Sequence, residues 1–151
     1  MRGKEIWWRL GSISWLSSQA RDALMHAWDS LLQEEFAKLY RKVLPYTMCG
    51  NARLRGLYAA VRYVVAQNIP GDLVECGTAR GGSAALMGLT VKRLSASRTL
   101  WVFDTFEGLP PPTDADSDWE IAKLYTGICQ GNFSQVQALF EQLGILAGTK
   151  V

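Results

Sequence analysis

The stretch Gly71-Asp72-Leu73-Val74-Glu75-Cys76-Gly77-Thr78-Ala79-Arg80-Gly81-Gly82-Ser83 reads as an apolar strand that runs into a glycine-rich turn and then opens a helix. Gly77, Gly81 and Gly82 supply the backbone freedom a tight turn needs and let a ligand approach the main chain closely. A second apolar run, Thr99-Leu100-Trp101-Val102-Phe103, ends in Asp104, the position at which α/β folds place a carboxylate for a ribose. Together the two segments predict half of a nucleotide-type cofactor site.

The spacing inside the turn narrows the ligand. A dinucleotide turn has the pattern GxGxxG with a pyrophosphate over the helix start, whereas this chain reads Glu75-x-Gly77-x-x-x-Gly81-Gly82, with Ala79 where the second glycine would stand. A carboxylate inside the strand repels a pyrophosphate and suits a cationic ligand, such as an amino-acid moiety that carries an ammonium and a sulfonium. An NAD-binding oxidoreductase is therefore the weaker reading.

Outward from this core, Leu24, Trp28, Leu31, Leu32, Phe36, Leu39, Tyr40 and Val43 recur at helical spacing and predict an amphipathic helix from Ser18 to Leu44, ended by Pro45. Leu54, Leu57, Tyr58, Val61 and Val64 or Val65 predict a second, broken at Asn68-Ile69-Pro70-Gly71. Leu73–Cys76 is predicted as a strand covered on both faces, and Gly82 to about Leu94 as its crossover helix. After the Thr99–Asp104 strand, Glu107-Gly108-Leu109-Pro110-Pro111-Pro112 must be a loop. Asp118 is expected to cap a helix through Ile128, and Ser134 with Gln137 to form a capping box opening a helix to Leu143. Ile145–Val151 begins a third strand. The order argues for an open parallel α/β sheet with right-handed crossovers. Two or three strands are fewer than the about four to six of an independent sheet, so the expectation is an incomplete fold that stops before its later strands.

Composition sets the outer limits. The 151 residues with 48% hydrophobic content fit a packed domain, and 16 basic against 14 acidic side chains leave a net charge of +2, which gives no electrostatic case for a nucleic-acid partner. Cys49, Cys76 and Cys129 form no CxxC pair, so neither a metal site nor a disulfide framework is expected and reduced, cytoplasmic thiols are the simplest reading. Met1–Leu16 lacks the uninterrupted apolar core of a signal peptide, and no stretch approaches the about 18 apolar residues of a transmembrane segment. Cys76 is expected as a small core residue, and His26 as packed or solvated. Asp114-x-Asp116-x-Asp118 lacks the glycine and glutamate of a calcium loop, with Trp119 and Tyr125 in their places. Four tryptophans before residue 30 are expected to pack an amino-terminal helical layer against the domain or against a second subunit in a homo-oligomer.

Asp72 to Ser83, then Trp101-Val102-Phe103-Asp104-Thr105-Phe106-Glu107-Gly108-Leu109-Pro110, with Tyr46-Thr47-Met48 and Arg53-Leu54 upstream and Gly131-Asn132-Phe133 downstream, resemble the macrocin O-methyltransferase (TylF-like) family over about residues 45–145. The resemblance implies a Rossmann-like class I methyltransferase fold, incomplete here, with residues 1–44 as an amino-terminal helical segment and 45–151 as a partial domain that binds S-adenosylmethionine (SAM). It implies methylation of a small-molecule hydroxyl, often on a natural-product sugar, with Mg2+. Glu75, Gly77, Thr78, Gly81, Gly82 and Ser83 would line the methionine half, Asp104 would accept from the ribose hydroxyls, Thr105, Phe106 and Glu107 would lie beside the nucleoside, and Thr47 and Met48 would close the carboxylate end. The family's metal ligands and candidate base belong to later strands, so no catalytic or metal residue is carried over and the isolated chain is expected to be inactive. The competing reading from another class is a catalytically silent interaction module that docks on a full-length homologue through an unpaired sheet edge.

Overall fold

The computed structural model describes residues 18–151; Met1–Leu16 and the side chains of His26 and Trp28 lie outside the described residues. Helix α1 (Ser18–Val43) passes through a 3-10 turn (Leu44–Tyr46) and is followed by α2 (Asn51–Ala66), β1 (Leu73–Cys76), α3 (Gly82–Arg93), β2 (Leu100–Phe103), the short α4 (Trp119–Lys123), α5 (Phe133–Gln142), a second 3-10 turn (Leu146–Gly148) and β3 (Thr149–Lys150). The three strands pair in parallel in the order β1-β2-β3, the incomplete Rossmann-like α/β arrangement that the alternation of elements predicts.

Helix α3 is the centre of the packing. Nine of its 12 residues are buried, because it lies between the sheet and the helices α1 and α2. Small side chains let neighbours come close: a Cβ on Gly88 would sit 2.9 Å from Ile145 Cδ1. Thr90, 1% exposed, satisfies its hydroxyl by donating to the Leu86 carbonyl at 2.7 Å, the usual solution for a buried threonine in a helix. Phe36 and Val43 from α1, Leu54 from α2, Leu86 from α3, Leu100 from β2 and Val136 and Phe140 from α5 fill one continuous core. Glu35 ties the three helices at their rim, accepting from Tyr58 Oη at 3.1 Å, Arg62 Nη1 at 3.3 Å and Arg93 Nε at 2.8 Å. Burial pushes the Tyr58 hydroxyl above the ordinary tyrosine range.

Four expectations change. β1 is not covered on both faces: Leu73 and Glu75 turn partly inward while Val74 and Cys76 are exposed, and in register with them Leu100 and Val102 are buried while Trp101 and Phe103 are exposed. Cys76 is thus a surface residue of the bare face and not part of the core. Asp118 occupies the N-cap position of α4 without accepting a capping hydrogen bond, and the helix stops at Lys123. The cap of α5 is Asn132, whose Oδ1 accepts from Gln135 N at 3.0 Å, so the helix starts earlier than a Ser134 capping box would have it.

The start of the two main strands is pinned by Asp72, which accepts from Thr99 N at 3.0 Å and from the Trp101 indole N–H at 2.9 Å. These bonds, the indole first, hold its carboxyl below the usual aspartate value of 3.8. A carboxylate whose pKa is depressed keeps its bonds above its unfolded value and loses them as pH falls through the folded one. The Trp101 indole N–H resonance is therefore expected to titrate with a midpoint below 3.8 and to become insensitive to acid in Asp72→Asn; a midpoint above that value contradicts the pairing.

Candidate functional site

The carboxyl ends of β1 and β2 lie side by side, and the two loops that leave them build the site. The ladder runs one step past β1, with Gly77 N donating to the Phe103 carbonyl at 2.8 Å. The chain then reverses through Gly77 (φ +88), Ala79 (φ +48) and Gly81 (φ +85). Ala79 thus adopts the left-handed conformation of the glycine it replaces, at the strain cost an L side chain incurs there. The turn closes with Gly81 N donating to Thr78 O and Ala85 N to Gly81 O, both at 2.8 Å.

That strained turn is held by Asp104. One carboxylate oxygen accepts from Ala79 N at 2.8 Å and the other from Phe106 N at 2.7 Å, so a single half-buried side chain fixes the loop after β1 and the loop after β2. Phe106 also has a positive φ, +60, and its ring meets Phe133 edge-on at 5.6 Å. Charge-assisted bonds of this length are among the stronger ones in proteins, and they offset two left-handed residues.

Three close approaches assemble the rest. A Cβ on Gly82 would meet Tyr46 O at 2.5 Å and Thr47 Cβ at 2.6 Å, which places the Tyr46-Thr47 segment directly on the first turn of α3. A Cβ on Gly131 would overlap the Ala79 carbonyl, which lets the segment before α5 back the turn. A Cβ on Gly108 would meet Gly127 O at 2.5 Å, and there Leu109 N donates to Ile128 O and Gly127 N to Leu109 O, tying down both ends of the long connection after β2.

Of the residues the sequence singles out, Glu75, Gly77, Thr78, Gly81, Gly82, Ser83, Asp104, Thr105 and Phe106 lie on these two loops and their flanks, and Thr47 lies against them. Thr47 Oγ1 accepts from Cys49 N at 3.0 Å, and Thr105 Oγ1 from Glu107 N at 3.3 Å. Met48 and Glu107 are exposed. Among the described residues two buried polar side-chain atoms have no hydrogen-bond partner, Glu75 Oε2 and Thr78 Oγ1, and Thr78 is 4% exposed. An unmet buried donor or acceptor costs about 1–3 kcal/mol, more for a charged group. Two together beside a turn with open space above Gly77 leave polar groups available to a ligand.

The bond from the Ala79 amide to Asp104 and the contact between the Phe106 and Phe133 rings are features that the motif pattern did not reveal, since the pattern marks Ala79 only as a broken glycine. A separate groove of about 390 Å³ lies between Tyr46, Arg80 and α5, where Asn132, Gln135, Leu139 and Gln142 line it; Glu75, Thr78 and Asp104 do not. Among the described residues no three His, Cys, Asp or Glu side chains group closely enough to hold a metal ion. No described helix is long and apolar enough to cross a membrane.

Comparison with known proteins agrees with this arrangement. Residues 25–150 match the family described as Macrocin-O-methyltransferase (TylF), so the match begins within α1 rather than after it. The chain is 38% identical over 106 residues to the 8-demethyl-8-(2,3-dimethoxy-alpha-L-rhamnosyl)-tetracenomycin-C 4'-O-methyltransferase of Streptomyces olivaceus, covering 67% of this chain and 40% of that protein. It is 33% identical over 116 residues to the Mycinamicin III 3''-O-methyltransferase of Micromonospora griseorubida, covering 68% of this chain and 46% of that one. The solved structure of the O-methyltransferase NovP superposes with a TM-score of 0.63 at 30% identity, over 70% of this chain and 46% of NovP. The chain thus spans less than half the length of these relatives. With residues 25–150 matched, the chain belongs to the macrocin O-methyltransferase (TylF) family.

Proposed function

We propose that this chain is the cofactor-binding part of a SAM-dependent O-methyltransferase whose acceptor is a hydroxyl of a natural product, a sugar hydroxyl in particular. The observation that carries this reading is the pair of unmet buried atoms, Glu75 Oε2 and Thr78 Oγ1, set beside a glycine turn without dinucleotide spacing. A carboxylate oxygen in that position calls for a donor that is itself positive, and the ammonium of the methionine moiety is one. The Thr78 hydroxyl, Gly77, Gly81, Gly82 and Ser83 then line the same half, with Thr47 and Met48 at its far end.

Asp104 serves the other half. Each of its oxygens already accepts one amide and keeps lone-pair capacity for a second donor, which matches the two hydroxyls of a ribose. Thr105, Phe106 and Glu107 follow it beside the nucleoside. When bound, SAM supplies the electrophilic methyl group; the residues here hold and orient it. The sugar acceptor is supported by relatives whose names carry a rhamnosyl group or a 3''-O-position. Mg2+ finds no fitting set of ligands among the described residues. On this reading the described residues bind the cofactor, and the general base is not among them. A cytoplasmic setting accords with three unpaired thiols.

Calorimetric titration with S-adenosylhomocysteine and with NAD is expected to give binding heat for the first alone, and Asp104→Asn to weaken that binding about 10-fold or more, the equivalent of at least ~1.4 kcal/mol; preference for NAD would overturn the assignment. Glu75→Gln keeps the size of the side chain and removes its charge. It is expected to weaken S-adenosylhomocysteine about 10-fold while leaving 5'-methylthioadenosine, which has no ammonium, within about twofold. Equal losses for the two ligands would take Glu75 out of the methionine half.

A further inference from the structure

The glycine turn contributes to a second concave surface. Arg80 stands between Ala79 and Gly81, and it lines the groove of about 390 Å³ beside Tyr46 and α5, which Glu75, Thr78 and Asp104 do not line. That volume falls within the range of about 300–1,000 Å³ of small-molecule sites. The Arg80 guanidinium makes no hydrogen bond or ion pair among the described residues, and no carboxylate lines the groove with it. On α5, Asn132, Gln135, Leu139 and Gln142 recur at helical spacing and share one face. The groove thus has carboxamides towards both ends of the helix and a buried apolar floor of Val136 and Leu139. Its walls also back the turn: a Cβ on Gly81 would meet Val136 Cγ1 at 3.2 Å, and one on Gly82 would meet Tyr46 O at 2.5 Å.

We propose that this groove is a second binding site, for a small hydroxyl-rich anion of the sugar-phosphate class. The phosphate belongs at the Arg80 end. A guanidinium offers a planar fork matched to phosphate oxygens, and Asn132 stands ready to add a donor: its Oδ1 is engaged by Gln135 N at 3.0 Å, which leaves the NH2 of the same carboxamide to donate. The first residue of α5 follows Asn132 directly, so the positive end of the helix dipole adds to the same pole. The sugar belongs along the helix. The carboxamides of Gln135 and Gln142 each donate and accept, as a hydroxyl does, and Val136 and Leu139 offer an apolar floor to the C–H face of a pyranose. A neutral sugar leaves the guanidinium without its counter-charge, and an apolar molecule covers the carboxamides without pairing them, at the cost of burying unpaired polar groups. The proposal rests on the groove alone and not on which cofactor the turn holds.

The test is an NMR titration of the full chain, labelled with nitrogen-15, with three probes: glucose 1-phosphate, inorganic phosphate and methyl α-glucoside. Glucose 1-phosphate is expected to bind saturably with a Kd of about 1 mM or tighter. It should shift the Arg80 Nε–H and the side-chain amides of Asn132, Gln135 and Gln142 with one midpoint. Inorganic phosphate and methyl α-glucoside are each expected to bind at least about 10-fold more weakly. Arg80→Gln removes the charge of an exposed side chain, and Ala138→Phe, at an exposed position that lines the groove, fills the space without removing a polar group. Each is expected to weaken glucose 1-phosphate at least about 10-fold while the remaining amide resonances keep their dispersion. No saturable binding overturns the proposal, as does binding that either variant leaves unchanged. Inorganic phosphate or methyl α-glucoside binding as tightly as glucose 1-phosphate also overturns it, and so do shifts centred on Glu75, Thr78 and Asp104, which would put the probe on the other side of the turn.

Discussion

The carboxylate of Asp104 is the constraint on which the site depends. Ala79 at φ +48 and Phe106 at φ +60 are conformations that L residues adopt at a cost, and neither loop has secondary structure of its own to enforce them. Asp104 answers both with one group, an oxygen for each amide, and it can do so because parallel pairing of β1 with β2 brings the two loops to the same end of the sheet. The remaining features follow from this fixed point. With the turn held, Gly131 can back the Ala79 carbonyl, Gly82 can lie under Tyr46 and Thr47, and Phe106 can meet Phe133. The residue thus has a structural task that precedes any ligand, and the same geometry leaves its oxygens lone-pair capacity for further donors.

Much of the framework is legible in the residues. β1 and β2 are apolar runs bounded by Gly71-Asp72 and Gly77 and by Thr99 and Asp104, α2 stops just before the Asn68-Ile69-Pro70-Gly71 break, and the glycine turn announces itself by composition. What is not legible lies in pairings between distant residues. The Ala79–Asp104 bond joins positions 25 apart and requires a backbone conformation that alanine rarely takes, so the pattern shows only a missing glycine. Asn132 and Ser134 are both good capping residues; the structure uses Asn132, which starts α5 at Phe133, the ring that meets Phe106. The bare sheet face is hidden for a different reason. Leu73 and Val74 are equally apolar, as are Leu100 and Trp101, so residue type alone cannot say that one of each pair meets the core and the other meets water.

That uncovered face and the unmet atoms of the turn describe one situation at two scales. The chain holds a packed helical side centred on α3 and an open side with exposed apolar residues and an edge of β1 that pairs with no strand among the described residues. In the same way the turn is held from within by Asp104 and keeps unmet buried atoms at Glu75 and Thr78. Rigidity behind and unsatisfied groups in front are what pre-organisation requires, since the cost of ordering the loops is then met before binding.

The central claim, that one carboxylate holds both loops, is tested most directly by amide hydrogen exchange in Asp104→Ala without ligand. The account predicts that the amides of Ala79 and Phe106 lose protection together, while that of Gly77, which donates to Phe103 O, keeps its own. Retained protection at Ala79 and Phe106, or loss at one alone, would contradict it.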